Sequence, residues 1–251
     1  MDKSIIIAAG LGSRLRPLTN DLPKSLLKIG NVSIIDTQIK KYKENNINNI
    51  NIIVGYKKEK FKKRKEKLFI NKNYNNNNSL ESLFYANKIL TGNCYISYSD
   101  IIYKKNVLSE LKKSKHDITL VIDKDWKKSY VGRKFHPISE AEKATINKHG
   151  EVIKIGKSIV SKNKKLYEFI GLFKLNNTGC EIFKKFYSIA KKEHINKKFF
   201  NAKKFSKAYI TDFFSYLIKK NIKINTIIVK NNWMEIDTFE DYTKAQNFFI
   251  K

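Results

Sequence analysis

The chain is short of cysteine, arginine and acid. Cys94 and Cys180 are its only cysteines. They stand far apart, without a CxxC or a histidine cluster, which argues against a disulfide frame or a zinc site and for a reducing compartment. Four of its 51 basic residues are arginine (Arg14, Arg16, Arg64, Arg133), acidic residues number 23, and the formal net charge is +28. Such an excess commonly marks a nucleic-acid or anionic-surface binder. Here the lysine is spread along the chain with abundant Asn and Ile. All three have A/T-rich codons, so genomic base composition explains the excess equally well, and charge alone does not make nucleic acid a partner. A run of about 18 apolar residues, as a membrane helix needs, is lacking. The N-terminal apolar run is too short for the core of a signal peptide. A cytoplasmic protein is expected.

What is present suffices for a core. An apolar fraction of 41% with 12% aromatics over 251 residues fits one large α/β domain, with or without an insertion. "KSIIIAAG" reads as a buried parallel strand ended by glycine. "SIIDTQIKKYKENNI" has Ile35, Ile39 and Tyr42 at helical spacing, and "NINIIVGY" is a second strand ended by Gly55. Strand, helix, strand predicts a βαβ unit. "KKEKFKKRKEKLF" reads as a solvated basic helix resting on Phe61, Leu68 and Phe69. "SLESLFYANKIL" is a helix with Ser79 at its N-cap. "NCYISYSD" is a third strand finishing on Asp100, followed by helix "NVLSELKKS" and strand "DITLVIDKD". From Trp126 to about Ser161 the pattern changes and holds a hairpin signal at His149-Gly150. Strand "YEFIGLFKL", helices "NTGCEIFKKFYSIAKK" and "ITDFFSYLIKKN", and strand "INTIIV" follow, then a loop into a terminal helix starting at Asp237 or Thr238. The expected fold is α/β: a doubly wound, mixed, mostly parallel, Rossmann-like sheet in one domain spanning residues 1–251. An insertion at about 124–168 would form a small lid over the carboxyl edge, where such folds bind ligands.

Behind the first strand stands GxGxRxxPxTxxxPK, filled by Gly10, Gly12, Arg14, Pro17, Thr19, Pro23 and Lys24. The glycines allow close backbone approach to an anion. It is not a P-loop, because no GxxxxGK[ST] exists, nor the dinucleotide GxGxxG, whose third glycine position is Leu15. Pro17 and Pro23 stiffen a long loop, lowering the entropy lost on wrapping a triphosphate. Arg14 and Lys24 offer fixed positive charge where a phosphorus centre gains negative charge.

These motifs resemble the nucleotidyltransferase family that activates sugar phosphates and small alcohol phosphates, over nearly the whole chain. The resemblance implies that Ala8, Ala9, Gly10, Gly12, Ser13, Gly55, Asn78 and Ser79 bind the nucleotide and that Arg14 and Lys24 meet its phosphates. It also implies that Asp100 and Asp237 hold Mg2+. Many relatives carry a second acid before the first of these aspartates; here Tyr98 and Ser99 precede Asp100. "NNNNSLESL" is similar to a segment of the phosphocholine and 2-aminoethylphosphonate cytidylyltransferases, and "DKDWKKSYVGRKFHPISEAEK…IGK…EFIGLFKL" resembles the longer insertion typical of the aminoethylphosphonate type.

That branch implies attack of an acceptor phosphate or phosphonate oxygen on the α-phosphorus of CTP, with pyrophosphate leaving. The product would serve to decorate surface glycans or lipids. The attacking oxygen is already ionised, so positioning and charge stabilisation suffice. Trp126, Tyr130, Arg133, His136, Glu168, Trp233 and Glu235 are the expected acceptor-binding residues. A trimethylammonium would want the aromatics among them and a primary ammonium the carboxylates; 2-aminoethylphosphonate is preferred over phosphocholine or phosphoethanolamine. Two rival readings are a sugar-1-phosphate nucleotidyltransferase using UTP or dTTP, and a polyanion binder on an inactive transferase fold. A homodimer stays open.

Overall fold

A computed structural model describes residues 1–161 and 164–247. Its frame follows from β1 (Asp2–Ala8), whose side chains alternate between two cores. Ile5 and Ile7 face one hydrophobic cluster, Ile6 and Ala8 the other, as the period of two requires. A strand apolar on both faces must lie inside a sheet covered on both sides.

β2 (Lys28–Ile29) and β3 (Val32–Ser33) make a small ribbon leading into α1 (Ile34–Glu44), where Ser33 accepts the Asp36 amide as N-cap. β4 (Asn49–Val54) returns parallel to β1, and β5 (Lys67–Ile70) runs parallel to β4 at the edge. The stretch read as a basic helix is therefore a short turn, Lys58–Phe61, followed by a strand. Lysine density mimicked a solvated helix face, whereas pairing with β4 decides the backbone, and charged side chains suit an edge strand.

α2 (Ser79–Phe84) is capped by the Asn78 side chain rather than by Ser79. β6 (Asn93–Tyr98) pairs parallel to β1 on its other side. β7 (Ile101–Tyr103), α3 (Lys105–Lys113) and β8 (Ile118–Asp123) follow. The expected hairpin is β9 (Lys143–Ile146) with β10 (Val152–Gly156). β11 (Tyr167–Leu175) is antiparallel to β6, β8 and β9. α4 (Asn177–His194), α5 (Ile210–Lys219) and β12 (Asn225–Val229) complete the main body. The final loop contains a strand, β13 (Trp233–Glu235), which pairs with β7, before α6 (Phe239–Ala245), whose N-cap is Thr238.

The sheet has nine strands, ordered β10-β9-β11-β6-β1-β4-β5, with β8 on β11 and β12 on β8. α1 and α3 pack on one face through Ile35, Ile39, Tyr42, Val107 and Leu111. α2, α4 and α5 cover the other through Leu80, Leu83, Phe183, Phe213 and Phe214. The order of the parallel strands reverses between β1 and β6, so a crevice opens beyond their carboxyl ends. Among the described residues, no helix is long and apolar enough to cross a membrane.

Candidate active site

A pocket of about 370 Å³ occupies that crevice. Ala8, Ala9, Gly10, Gly12, Ser13, Arg14, Lys24, Asn78, Ser79, Asp100, His136, Glu235 and Asp237 all line it. The glycine loop is held from behind: Leu15 is buried with Leu27, Ile102 and Ile236. Thr19 donates to the Gly12 carbonyl at 2.8 Å, and Tyr56 donates to the Thr19 carbonyl at 2.9 Å. These contacts explain why the loop needs Thr19.

Asp100 and Asp237 meet through the β7–β13 ribbon. Ile101 stands opposite Glu235, and the Ile236 amide donates to the Asp100 carbonyl at 2.8 Å. Lys24 Nζ then bridges the two carboxylates, 2.7 Å from Asp100 Oδ2 and 2.8 Å from Asp237 Oδ1. Arg14 pairs with the other oxygen of Asp237. Burial by itself would lower the Lys24 pKa, but Asp100 and Asp237 outweigh it and hold the ammonium above its ordinary range. Burial of Asp237 opposes its charge, yet Lys24, His136 and Arg14 hold its carboxyl far below the usual range. Glu235 is pushed up to about 7 by burial and by the charges of Asp237 and Asp100.

His136 lies 3.2 Å from Asp237 through Nδ1 and 3.5 Å from Glu235 through Nε2. His136, Glu235 and Asp237 present ligand atoms within 4.8 Å of one another. Asp100 Oδ1 is buried with no hydrogen-bond partner among the described residues. An orphaned carboxylate oxygen beside two further acids is a donor set that suits a hard divalent cation such as Mg2+. Glu235, delivered from β13, adds a further carboxylate beside Asp237.

Several expected residues lie elsewhere. Gly55 lines a neighbouring recess with Tyr56, Lys57 and Asn71 and does not line the main pocket. A Cβ there would stand 2.7 Å from Tyr74 Cβ and 2.8 Å from the Ala9 carbonyl, so this glycine allows close packing beneath the loop. Trp126 is 2% exposed, packed with Tyr130 and Ala141, and donates to the Leu166 carbonyl at 3.0 Å. It lines neither the main pocket nor the cavity beside it. Arg133 binds Asp241 at 2.7 Å, with Glu235 at 3.5 Å. Asp241 also accepts the Asp237 and Thr238 amides. Arg133 thus braces the α6 cap, and an anion would have to displace buried carboxylates to reach it.

Tyr130, Glu168 and Trp233 line a second cavity of about 30 Å³, which shares Tyr98, Glu140, Glu142 and Glu235 with the main pocket. Tyr130 donates to Glu168 at 2.5 Å, and Trp233 Nε1 donates to Asp123 at 2.9 Å. Glu142 is buried and bonded by the Thr211 hydroxyl at 2.5 Å; burial pushes its pKa up to about 7. Tyr74, Asn77, Glu140, Glu142, Lys157 and Tyr209 also line the main pocket, and sequence reasoning gave none of them a role. Glu142 and Lys157 stood in quoted motifs and could have been raised from there. Tyr209 had no signal, since it arrives only by packing of α5.

The fold, the crevice and the paired basic and acidic groups define a nucleotidyltransferase: residues 3–132 match the Nucleotidyl transferase family, and the chain belongs to it. Within that family it falls in the cytidylyltransferase branch. It is 31% identical to CTP:phosphoglutamine cytidylyltransferase of Campylobacter jejuni, over 95% of this chain and 96% of that one. It is 40% identical to choline-phosphate cytidylyltransferase of Streptococcus pneumoniae, over 45% of this chain and 51% of the relative. The solved CTP:phosphocholine cytidylyltransferase of Streptococcus pneumoniae superposes with a TM-score of 0.75 at 27% identity, covering 100% of this chain and 99% of that one.

Proposed function

We propose that the enzyme transfers CMP from CTP to the phosphate or phosphonate oxygen of a small acceptor with an amine at its far end. 2-Aminoethylphosphonate is the first candidate; phosphoethanolamine, phosphocholine and phosphoglutamine are the others. The observation that carries this reading is one pocket in which Lys24 and Arg14 share Asp237 while Glu142 and Glu235 line the remaining wall. The cations suit a triphosphate and the buried acids suit an amine. The relatives named for CTP and for phosphocholine or phosphoglutamine support the choice of nucleotide and of acceptor class.

The backbone from Ala8 to Ser13 cradles the nucleotide phosphates, with Asn78 and Ser79 on the opposite wall. The acceptor oxygen attacks the α-phosphorus in line, a new P–O bond forms, and the bond to the β-phosphate breaks with pyrophosphate leaving. Lys24 and Arg14 offset charge building on the α-phosphate, a service worth most in a site closed to water. No general base is needed, because the acceptor oxygen is ionised at neutral pH. Asp100 and Asp237 would hold Mg2+, which supplies further positive charge to the phosphates.

Pyrophosphate release, measured with each of CTP, UTP, ATP, GTP and dTTP against the four acceptors and glucose-1-phosphate, tests the reading. Release with CTP and an amine-bearing acceptor is expected. Preference for UTP or dTTP with the sugar phosphate would replace it with the sugar-activating alternative. Salt-sensitive polyanion binding without any release would favour an inactive fold.

A further inference from the structure

We infer that Gln38, a buried residue of α1 that does not line the pocket, is the positioning residue that sets Asp100 against Lys24. The inference rests on the proposed part of Asp100 in cytidylyl transfer and adds what holds that carboxylate in place. Gln38 acts on it through the main chain.

The turn that carries Asp100 is short of strand partners. β6 ends at Tyr98 and β7 begins at Ile101, so Ser99 and Asp100 lie between them. The pairing of β11 with β6 reaches Ser97 and stops before Tyr98. β7 pairs with β13 alone among the described residues, and the Ile236 amide takes the Asp100 carbonyl. Successive carbonyls of an antiparallel pair turn to opposite sides, so the Ile101 carbonyl faces away from β13.

One side chain answers both carbonyls. Gln38 Nε2 donates to the Tyr98 carbonyl at 2.9 Å and to the Ile101 carbonyl at 2.6 Å. Its two N–H groups therefore bracket Asp100 from either end of the turn. Carbonyls only accept, so the amide can stand only with its nitrogen toward them. Its Oε1 accepts the Ser97 hydroxyl at 2.8 Å, which fixes the other end. Gln38 is 1% exposed, and bulk water would not replace a bond lost there.

The same helix also holds the Lys24 turn. Ile34, four residues before Gln38 and one helical turn away, donates its amide to the Leu27 carbonyl at 2.9 Å. The Leu27 amide in turn donates to the Lys24 carbonyl at 3.1 Å. α1 is thus a common reference for both charges, which meet at 2.7 Å between Lys24 Nζ and Asp100 Oδ2. The aim of the unpartnered Asp100 Oδ1 depends on the same bracket.

Gln38→Met keeps the bulk of the side chain and removes both donors. Its kcat for CTP-dependent pyrophosphate release, measured on the intact enzyme at saturating Mg2+, should fall by on the order of 10²-fold, as for a reacting group displaced by about 1 Å. In the Asp100→Asn background the same substitution should cost little more, because both changes act through one carboxylate. A readout without turnover is CTP affinity in Mg2+ against that in EDTA. The gain from Mg2+ should shrink by about 10-fold in Gln38→Met. Losses that multiply in the double variant overturn the inference, as does a Mg2+ gain equal to that of the wild type; Gln38 then serves only the fold. Absence of CTP-dependent release from the wild type with every acceptor defeats the proposed function, and the affinity ratio then decides Gln38 by itself. Should Gln38→Met fail to fold, Ser97→Ala, which frees the oxygen end of the amide, carries the same cycle with a smaller loss expected.

Discussion

Lys24 and Asp237 are 213 positions apart in the chain, yet Nζ and Oδ1 meet at 2.8 Å. Neither residue is placed by its neighbours in sequence. The stiffened loop after β1 brings the lysine, and the ribbon of β7 with β13 brings the aspartate. The contact puts an ammonium and a carboxylate at the point where phosphates are expected, so both sides of it are open to test.

Lys24→Ala should lower kcat/KM for pyrophosphate release by about 10²–10³-fold, the loss seen when one transition-state donor is removed. Steady-state assays at saturating acceptor check it. Turnover close to that of the wild type would remove Lys24 from the chemistry.

Chelation should silence the enzyme, and added Mg2+ should restore it. Asp100→Asn should raise the Mg2+ concentration needed for half-maximal rate, because the orphaned Oδ1 would no longer belong to a carboxylate. A metal titration of both proteins measures this; activity undiminished in EDTA contradicts it.

Glu142 offers a pH test that does not depend on activity. Burial raises its folded pKa from 4.5 to about 7. Between those values the folded chain binds more protons than the unfolded one, so this residue's contribution to stability falls as pH rises. Glu142→Gln should gain on the wild type between about pH 5 and about pH 8, by on the order of 3 kcal/mol at most. Urea melts at both pH values read the difference, and a constant or reversed difference refutes the assignment.

Trp126→Ala should destabilise the fold by about 3–5 kcal/mol, as expected for a buried aromatic, and leave the order of acceptor preference unchanged. Its side chain faces Tyr130, Ala141 and Leu166. Melting curves together with the acceptor panel check both halves, and a changed preference with an unchanged melt would return Trp126 to the acceptor site.

The glycine-loop side of the pocket was legible because its residues are contiguous. Gly10 to Lys24 carry their own spacing, and β1 announces itself by apolar residues on both faces. Asp100 and Asp237 were legible through the resemblance, although their union through β13 was not, since three residues read as loop become a strand only by pairing with β7. The acceptor half was harder. Trp126 and Arg133 carry the right chemistry in the right segment, but packing turns one into core and the other into a brace for α6. Glu142, Lys157 and Tyr209 stand just before β9, just after β10 and at the N-cap of α5, and no local pattern links them. The stretch from Lys57 to Phe69 misled for a related reason, because an edge strand is defined by its neighbour.

The ribbon has one more consequence, for synthesis of the protein. The loop that carries Arg14 and Lys24 emerges from the ribosome first, whereas Asp237, the carboxylate that both cations share, comes just after β13. A nascent or clipped polypeptide ending before Trp233 has the strands of the nine-stranded sheet and Lys24 but not the second acid that Lys24 bridges. The paired charges are thereby tied to completion: a half-made copy has the lysine without the second acid that it bridges.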